Sequence, residues 1–219
     1  MRALDDLVTS GKVRYIGISD TPAWKVAQAQ LLARFRGWSP LIALQVEYSL
    51  MQRTVEGELI PMAQELGLGV LPWGPLKSGA LTGKYTRANG AKMPGERGAY
   101  IGDFSEKQFD IVDEVAKVAK ECNSSSPTVA LAWLRSQPGV QSVIIGARSL
   151  EQLDGNLKAL DLTLTPEQIA SLNAVSKPVL NFPADFLAAS PSFCHSGATV
   201  NGIPSHLMHG VPKDDTARY

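Results

Sequence analysis

An α/β fold built on parallel strands is predicted by three short apolar runs, each ending in small or polar residues. The first is Gly11-Lys12-Val13-Arg14-Tyr15-Ile16-Gly17-Ile18-Ser19. The second is Ala43-Leu44-Gln45-Val46-Glu47-Tyr48-Ser49-Leu50, and the third is Val143-Ile144-Ile145-Gly146-Ala147-Arg148-Ser149. A buried parallel strand that delivers its C-terminal end to a site has this form. Helical patterns alternate with these runs, so that strand then helix recurs four times, the mark of a parallel α/β architecture.

The elements follow in order. Leu4, Leu7 and Val8 share one helical face over residues 1–10, and Gly11 stops that helix. The first strand spans about Val13 to Ile18. Thr21-Pro22 opens a helix, because proline suits a first helical position; it carries Trp24, Val26, Ala27, Leu31 and Leu32 to about Phe35. The second strand covers about Leu41 to Val46, and a helix runs from about Val55 to Leu66 with Gly67 at its end. The third strand is Gly69 to Leu71, closed by Pro72. A long segment rich in Gly, Lys and Arg then extends from Trp73 to about Asp103, and loops of such length are usually functional. Ser105 caps the next helix, with Phe109, Val112, Val115 and Ala119 at helical spacing. Pro127 starts another, through Ala130, Leu131 and Leu134. The fourth strand is Ser142 to Ile145. Helices from about Leu150 to Leu160 and from Thr165-Pro166-Glu167 onward complete the pattern. From about Pro178 the rhythm stops, and the rest reads as an irregular tail.

Composition narrows the function classes. The chain has 219 residues, with 21 Lys plus Arg balancing 21 Asp plus Glu. A neutral balance gives no general attraction to nucleic acid or to an anionic membrane. Cys122 and Cys194 fit no metal or redox spacing and are expected to be free thiols. The N-terminus lacks the apolar core of a signal peptide, and no apolar stretch is long enough to span a bilayer. The expectation is a soluble cytoplasmic protein.

Three motifs resemble the aldo-keto reductases in their family order. They are Gly11 to Ser19, then Pro72-Trp73-Gly74-Pro75-Leu76 through Leu81-Thr82-Gly83-Lys84, and then Gly146-Ala147-Arg148 with Gln152 and Asn156. Members of that family are eight-stranded (β/α) barrels that use NADPH. The resemblance covers Met1 to at least Asn156, more loosely to about Asn201, and corresponds to strands five to eight. It implies a partial TIM-type barrel of about four parallel β/α units, a half barrel, over residues 1–177. The tail, 178–219, would then lie over the site as a lid, with Phe182, Phe186 and Phe193 shaping the pocket or simply covering exposed core.

The resemblance also implies a cofactor site. Ser19, ending the fifth family strand, would contact the nicotinamide carboxamide. Asp20 departs from the family's Asn or Arg, and an ionised carboxylate donates no hydrogen bond; capping of the next helix is the other reading of this residue. Gln45 would pair its amide with the same carboxamide, and leaving such a group buried and unpaired costs on the order of 1–3 kcal/mol; a structural hydrogen bond to a nearby loop is the alternative. Trp73 would stack on the nicotinamide ring. Gly74, Pro75, Leu76 and Ser78 would wrap the pyrophosphate, and Lys84 would reach a phosphate; a solvated surface lysine is the other reading of Lys84. Gly146 and Arg148 precede a helix, and a helix N-terminus with small residues and an Arg is an anion site; Arg148 would pair with the 2′-phosphate of NADP. Gln152 and Asn156 lie four apart on one helix face and would hold the adenine and its phosphate. Gly155 stands where many members carry Glu.

The family's catalytic Asp, Tyr, Lys and His come from its first four strands, so none can be carried onto this chain. Tyr48, Lys77 and Tyr85 lie near the expected site face without matching a catalytic position. His195, His206 and His209 are expected to be unliganded, and no metal site is expected. Four strands leave two open edges, which predicts a homodimer or higher oligomer that covers them. The expected activity is NADPH-dependent reduction of a small carbonyl or related substrate. The alternatives are a non-catalytic NADPH-binding or regulatory module and an inert remnant.

Overall fold

The computed structural model describes residues 1–87, 104–195, 197–200 and 203–205. Gly90, Gly95, Gly98 and Gly102 of the long glycine-rich segment lie outside these residues, as do His206 and His209. The chain divides into two units, Met1–Pro178 and Val179–Tyr219.

The first unit carries a parallel sheet of three strands in the order β1-β2-β3: β1 (Ile16–Ser19), β2 (Leu41–Glu47) and β3 (Gly69–Trp73). Helix α1 (Arg2–Thr9) precedes β1. Helices α2 (Ala23–Arg36) and α3 (Leu59–Leu66) form the crossovers, and a short 3-10 turn at Thr54–Glu56 stands where the α3 helix was expected to begin. After the loop that follows β3 come α4 (Glu106–Glu121), α5 (Ser126–Arg135), α6 (Leu150–Leu157) and α7 (Pro166–Val175).

Helix ends follow their expected signals. Ser105 and Gln108 form a reciprocal capping box at α4, and Thr165 with Gln168 does the same at α7, where Pro166 occupies the first turn. Ser125 caps α5, and Pro127 stands in its first turn as expected. Gly37 and Gly67 end α2 and α3 at φ 66° and 73°, the left-handed region that glycine enters freely.

The alternation of β2 divides its residues between two sides. Leu44 and Val46 are buried against the helices, together with Val70 of β3, Val26 of α2 and Ala63 of α3. Gln30 fastens α2 to this strand: its amide accepts from the Leu41 N–H at 2.7 Å and donates to the Leu41 carbonyl at 2.9 Å. The buried face of α2 is therefore Ala23, Val26, Gln30 and Ala33, whereas Trp24, Leu31 and Phe35 are exposed at 63 %, 45 % and 86 %.

The fourth expected strand, Ser142 to Ile145, is not a strand. Its segment runs beside β3 but joins it only by a parallel bridge between Val70 and Val140 and by the Ile144 N–H donating to the Pro72 carbonyl at 2.8 Å. Val70 makes both of its bonds on that side, donating to Gly139 and accepting from Gln141. Pro72 can only accept, so the ladder breaks where its N–H would be needed. Nor does Pro72 close β3: it lies within the strand, in register with Val46.

The tail was expected to be irregular. Instead α8 (Ala184–Cys194) and an antiparallel pair, β4 (Thr199–Val200) and β5 (Ile203–Pro204), occupy part of it. Ala184, Leu187, Ala188 and Ala189 are strong helix formers, and they outweigh the scattered Ser and Pro that suggested a loop.

A buried polar cluster joins the segment after β2 to α5 and α7. The Arg53 guanidinium donates to both Glu56 carboxylate oxygens, at 2.7 and 3.0 Å, and through Nη1 to Ser176 Oγ at 2.7 Å and the Asn173 carbonyl at 3.1 Å. It also lies 5.1 Å from the Trp133 ring centre. Trp133 Nε1 donates to Asn173 Oδ1, and Tyr48 packs edge-on against Trp133. Replacing Arg53 by Met leaves the part-buried Glu56 carboxylate without its cation and removes the donor to the Asn173 carbonyl and Ser176 Oγ, and is expected to lower stability by on the order of 3 kcal/mol. Urea unfolding of Arg53→Met beside the exposed control Lys117→Met measures this; equal midpoints would refute it.

Candidate cofactor site at the strand mouths

The other side of the sheet is lined by small and polar residues. Register places Ser19, Gln45 and Leu71 in one row, and Glu47 with Trp73 in the next, nearer the C-terminal ends. Below them, Gly17 pairs with Ala43 and Ala43 with Gly69. A Cβ on Gly17 would come within 3.1 Å of the Ala43 carbonyl, so the close approach of β1 to β2 depends on glycine there.

Gln45 is half-buried, and among the described residues no hydrogen bond engages its side-chain amide. The alternative of a structural bond to a neighbouring loop therefore finds no partner in the described residues. Trp73 is half-buried above this row, and its Nε1–H donates to Asp20 Oδ1 at 3.0 Å. Ser19 Oγ donates to the other oxygen of the same carboxylate, also at 3.0 Å. The Asp20 side chain does not cap α2, whose N-cap is Pro22 with no side-chain cap. The contact between residues 20 and 73 carries no local sequence signal and was missed.

The loop after β3 folds back on the mouths through left-handed residues: Gly74, Lys77, Ser78 and Gly79 have φ of 63°, 45°, 53° and 103°. Pro75 is buried and Leu76 packs on the core. The Leu76 carbonyl accepts from both Gly79 and Leu81. These two residues anchor the loop, while Ser78 is exposed. Lys77 Nζ lies 2.6 Å from Glu47 Oε1, tying the loop to the end of β2. Another missed clamp lies at the far end: Arg87 meets Glu106, Asp110 and Asp113 along α4. Lys84 is exposed, with no ion pair among the described residues.

Gly146 and Arg148 are exposed beyond the segment that adjoins β3. Ser149 caps α6 by accepting from the Gln152 N–H, and Gln152 Oε1 accepts from the Arg148 N–H at 2.9 Å. Gln152 thus spends its carboxamide oxygen on the helix start and keeps its amide N–H groups. Asn156, one turn on, is buried and lines a groove of about 450 Å³ with Leu131, Arg135, Val143 and Leu157. The structure therefore connects Ser19, Asp20 and Trp73 by side-chain hydrogen bonds and, separately, Glu47 and Lys77 by an ion pair. It links the Arg148 stretch to β3 only through the Ile144 and Val140 segment.

The tyrosines near this face are committed elsewhere. Tyr48 is buried, and its hydroxyl donates to Glu56 Oε1 at 2.7 Å; burial, then that carboxylate, holds its pKa far above the ordinary 10.0. Tyr85 packs against Phe104.

A parallel α/β unit with polar strand ends gathered at one mouth defines a class of site rather than a protein. The sequence pattern of the Aldo/keto reductase family matches residues 1–177, and the chain belongs to that family. It is similar to the uncharacterized oxidoreductase YrpG of Bacillus subtilis, with 38 % identity over 79 % of this chain and 52 % of that protein. It is 32 % identical to the probable aryl-alcohol dehydrogenase AAD4 of Saccharomyces cerevisiae, over 94 % of this chain and 64 % of that protein. It is 31 % identical to norsolorinic acid reductase of Aspergillus flavus, over 88 % of this chain and 48 % of that protein. The chain thus spans about half to two thirds of these relatives' lengths.

The burial of Tyr48 sets a pH dependence. The neutral phenol is favoured in the folded state, so its contribution to stability is complete below pH 10.0 and declines as pH rises above it. In an absorbance titration of the folded protein, Tyr48→Phe is expected to leave the tyrosinate signal near pH 10 unchanged. Loss of one tyrosine's share of that signal would show that Tyr48 titrates normally.

Proposed function

We propose that the chain binds NADPH at the strand mouths and serves an oxidoreductase that reduces small carbonyl or related substrates. The half-buried Gln45 amide carries this reading: it lies in the same row as Ser19, one row below Trp73, with no hydrogen-bond partner among the described residues. A carboxamide on a ligand matches it, since an amide both donates to and accepts from another amide. Trp73 offers the flat face for the nicotinamide ring. Gly74, Pro75, Leu76 and Ser78 border the pyrophosphate, with Lys84 near a phosphate. Gly146 and the Arg148 guanidinium at the start of α6 take the 2′-phosphate, and Gln152 and Asn156 the adenine end. When bound, NADPH supplies the hydride; these residues hold and orient it.

The proton has no evident donor among the described mouth residues. Tyr48 is held neutral against Glu56, and Lys77 is paired with Glu47. On this reading the proton comes from water or the substrate. The same facts favour a second reading, a binding module without turnover. One relative is named a probable aryl-alcohol dehydrogenase, which makes aryl alcohols a first substrate to test.

The architecture we propose is a half barrel of the TIM type, its open sides covered by a second copy. Among the described residues β1 has one sheet neighbour, α2 exposes Trp24, Leu31 and Phe35, and α6 with the 3-10 turn after it exposes Leu150, Leu157 and Leu160. Apolar faces of this kind favour association. The proposed location is the cytoplasm, consistent with free Cys122 and Cys194; no helix among the described residues is long and apolar enough to cross a membrane.

Titration with NADPH is expected to quench tryptophan fluorescence, and Trp73→Phe to remove most of the quench. Arg148→Ala should weaken NADPH by roughly tenfold, the loss of about 1.4 kcal/mol, and leave NADH little changed. Equal weakening of both nucleotides would refute the 2′-phosphate role. Light scattering after size exclusion should give twice the monomer mass, and a Trp24→Lys, Phe35→Glu double variant should shift it to monomer. A monomer in the unsubstituted chain at micromolar concentration removes the dimer.

A further inference from the structure

We propose that Asp20 is a positioning residue, whose carboxylate fixes the Trp73 indole across the end of β2 and so sets the surface on which the cofactor ring stacks. The proposal rests on the reading of Trp73 as the nicotinamide platform. Asp20 follows β1, and Trp73 ends β3; these strands are not sheet neighbours, because β2 lies between them. Two strand spacings separate their backbones by roughly 10 Å. The 3.0 Å bond between Nε1 and Oδ1 therefore lays the ring over the Gln45 and Glu47 end of β2.

Asp20 is itself held at three points, two on its carboxylate and one on its backbone N–H. The Asp20 N–H donates to the Gln45 carbonyl at 3.1 Å, Ser19 Oγ donates to Oδ2, and Trp73 donates to Oδ1. The backbone stands at φ 49°, a left-handed conformation that Asp and Asn enter more readily than most residues. An indole N–H on a carboxylate is a charge-assisted bond, stronger than one to a neutral acceptor. A half-buried ring pinned by its nitrogen loses the alternative rotamers that would present its edge.

A second consequence concerns Ser19. Its hydroxyl proton is directed to Asp20, so toward a ligand it presents lone pairs and accepts. Gln45 then supplies both the donor and the acceptor still needed opposite a carboxamide oxygen and nitrogen. The departure of residue 20 from the family's usual Asn or Arg is thus matched by a division of work between its two neighbours.

The test uses the full chain and two variants. Asp20→Asn keeps a side-chain oxygen that can accept from the indole. Asp20→Gly removes the acceptor while tolerating the same φ. The first readout is the Trp73 indole N–H resonance of the 15N-labelled chain without nucleotide, assigned with Trp73→Phe. The second is NADPH affinity by titration. Asp20→Gly is expected to move the indole resonance, speed its hydrogen exchange and weaken NADPH on the order of tenfold; Asp20→Asn should remain within about threefold on affinity. An indole resonance unmoved by Asp20→Gly overturns the contact. A moved resonance with unchanged NADPH affinity overturns the positioning role. An unsubstituted chain that fails to bind NADPH overturns the cofactor reading and this role with it, and is told apart because the indole response to Asp20→Gly still reports the hydrogen bond.

Discussion

The two-residue alternation of β2 is the constraint on which the rest of the molecule depends. Leu44 and Val46 point to the helices, so Gln45 and Glu47 must point the other way. Slipping the register by one residue would bury a carboxylate and an amide among Val26, Val70 and Ala63, and would turn two apolar side chains toward the site. Burial of the first pair therefore fixes the chemistry of the second. Gln30 sets where this alternation starts, because its amide closes on both backbone groups of Leu41.

Above that row, the mouths are held by contacts that cross the sheet rather than follow it. Asp20 joins β1 to β3, and Glu47 joins β2 to the loop after β3 through Lys77. Each uses a charge to hold a group that would otherwise be free at a strand end. Farther from the site, Arg53 gathers Glu56, Ser176 and Asn173 around Trp133, so the segment leaving β2 is fastened to α5 and α7. The candidate site thus lies on a strand whose two ends are both secured, the condition under which side-chain geometry can be kept.

Much of this was legible in the residues. Helix starts at Ser105 and Thr165, the stop at Gly67, and the three strands are encoded locally, by capping chemistry, a left-handed glycine and apolar runs. The fourth strand misled because the pattern of Ser142 to Ile145 says nothing about its neighbour: the missing donor belongs to Pro72, seventy residues earlier in the chain. The role of Asp20 was hidden for the same reason, since its partner lies in another strand. Motif resemblance pointed to Ser19, Gln45 and Trp73, which lie in adjacent rows of the sheet. It did not show that Gln152 braces the Arg148 backbone or that Asn156 is buried.

The central claim is that NADPH meets the inner row of the sheet, with Gln45 as its partner. Following the Gln45 side-chain amide resonances of the 15N-labelled chain during NADPH addition, with Gln45→Met for assignment, tests this most directly. The account predicts that both amide protons shift progressively and saturate with the nucleotide. Saturable NADPH binding that leaves the Gln45 amide unmoved would place the nucleotide elsewhere and contradict it.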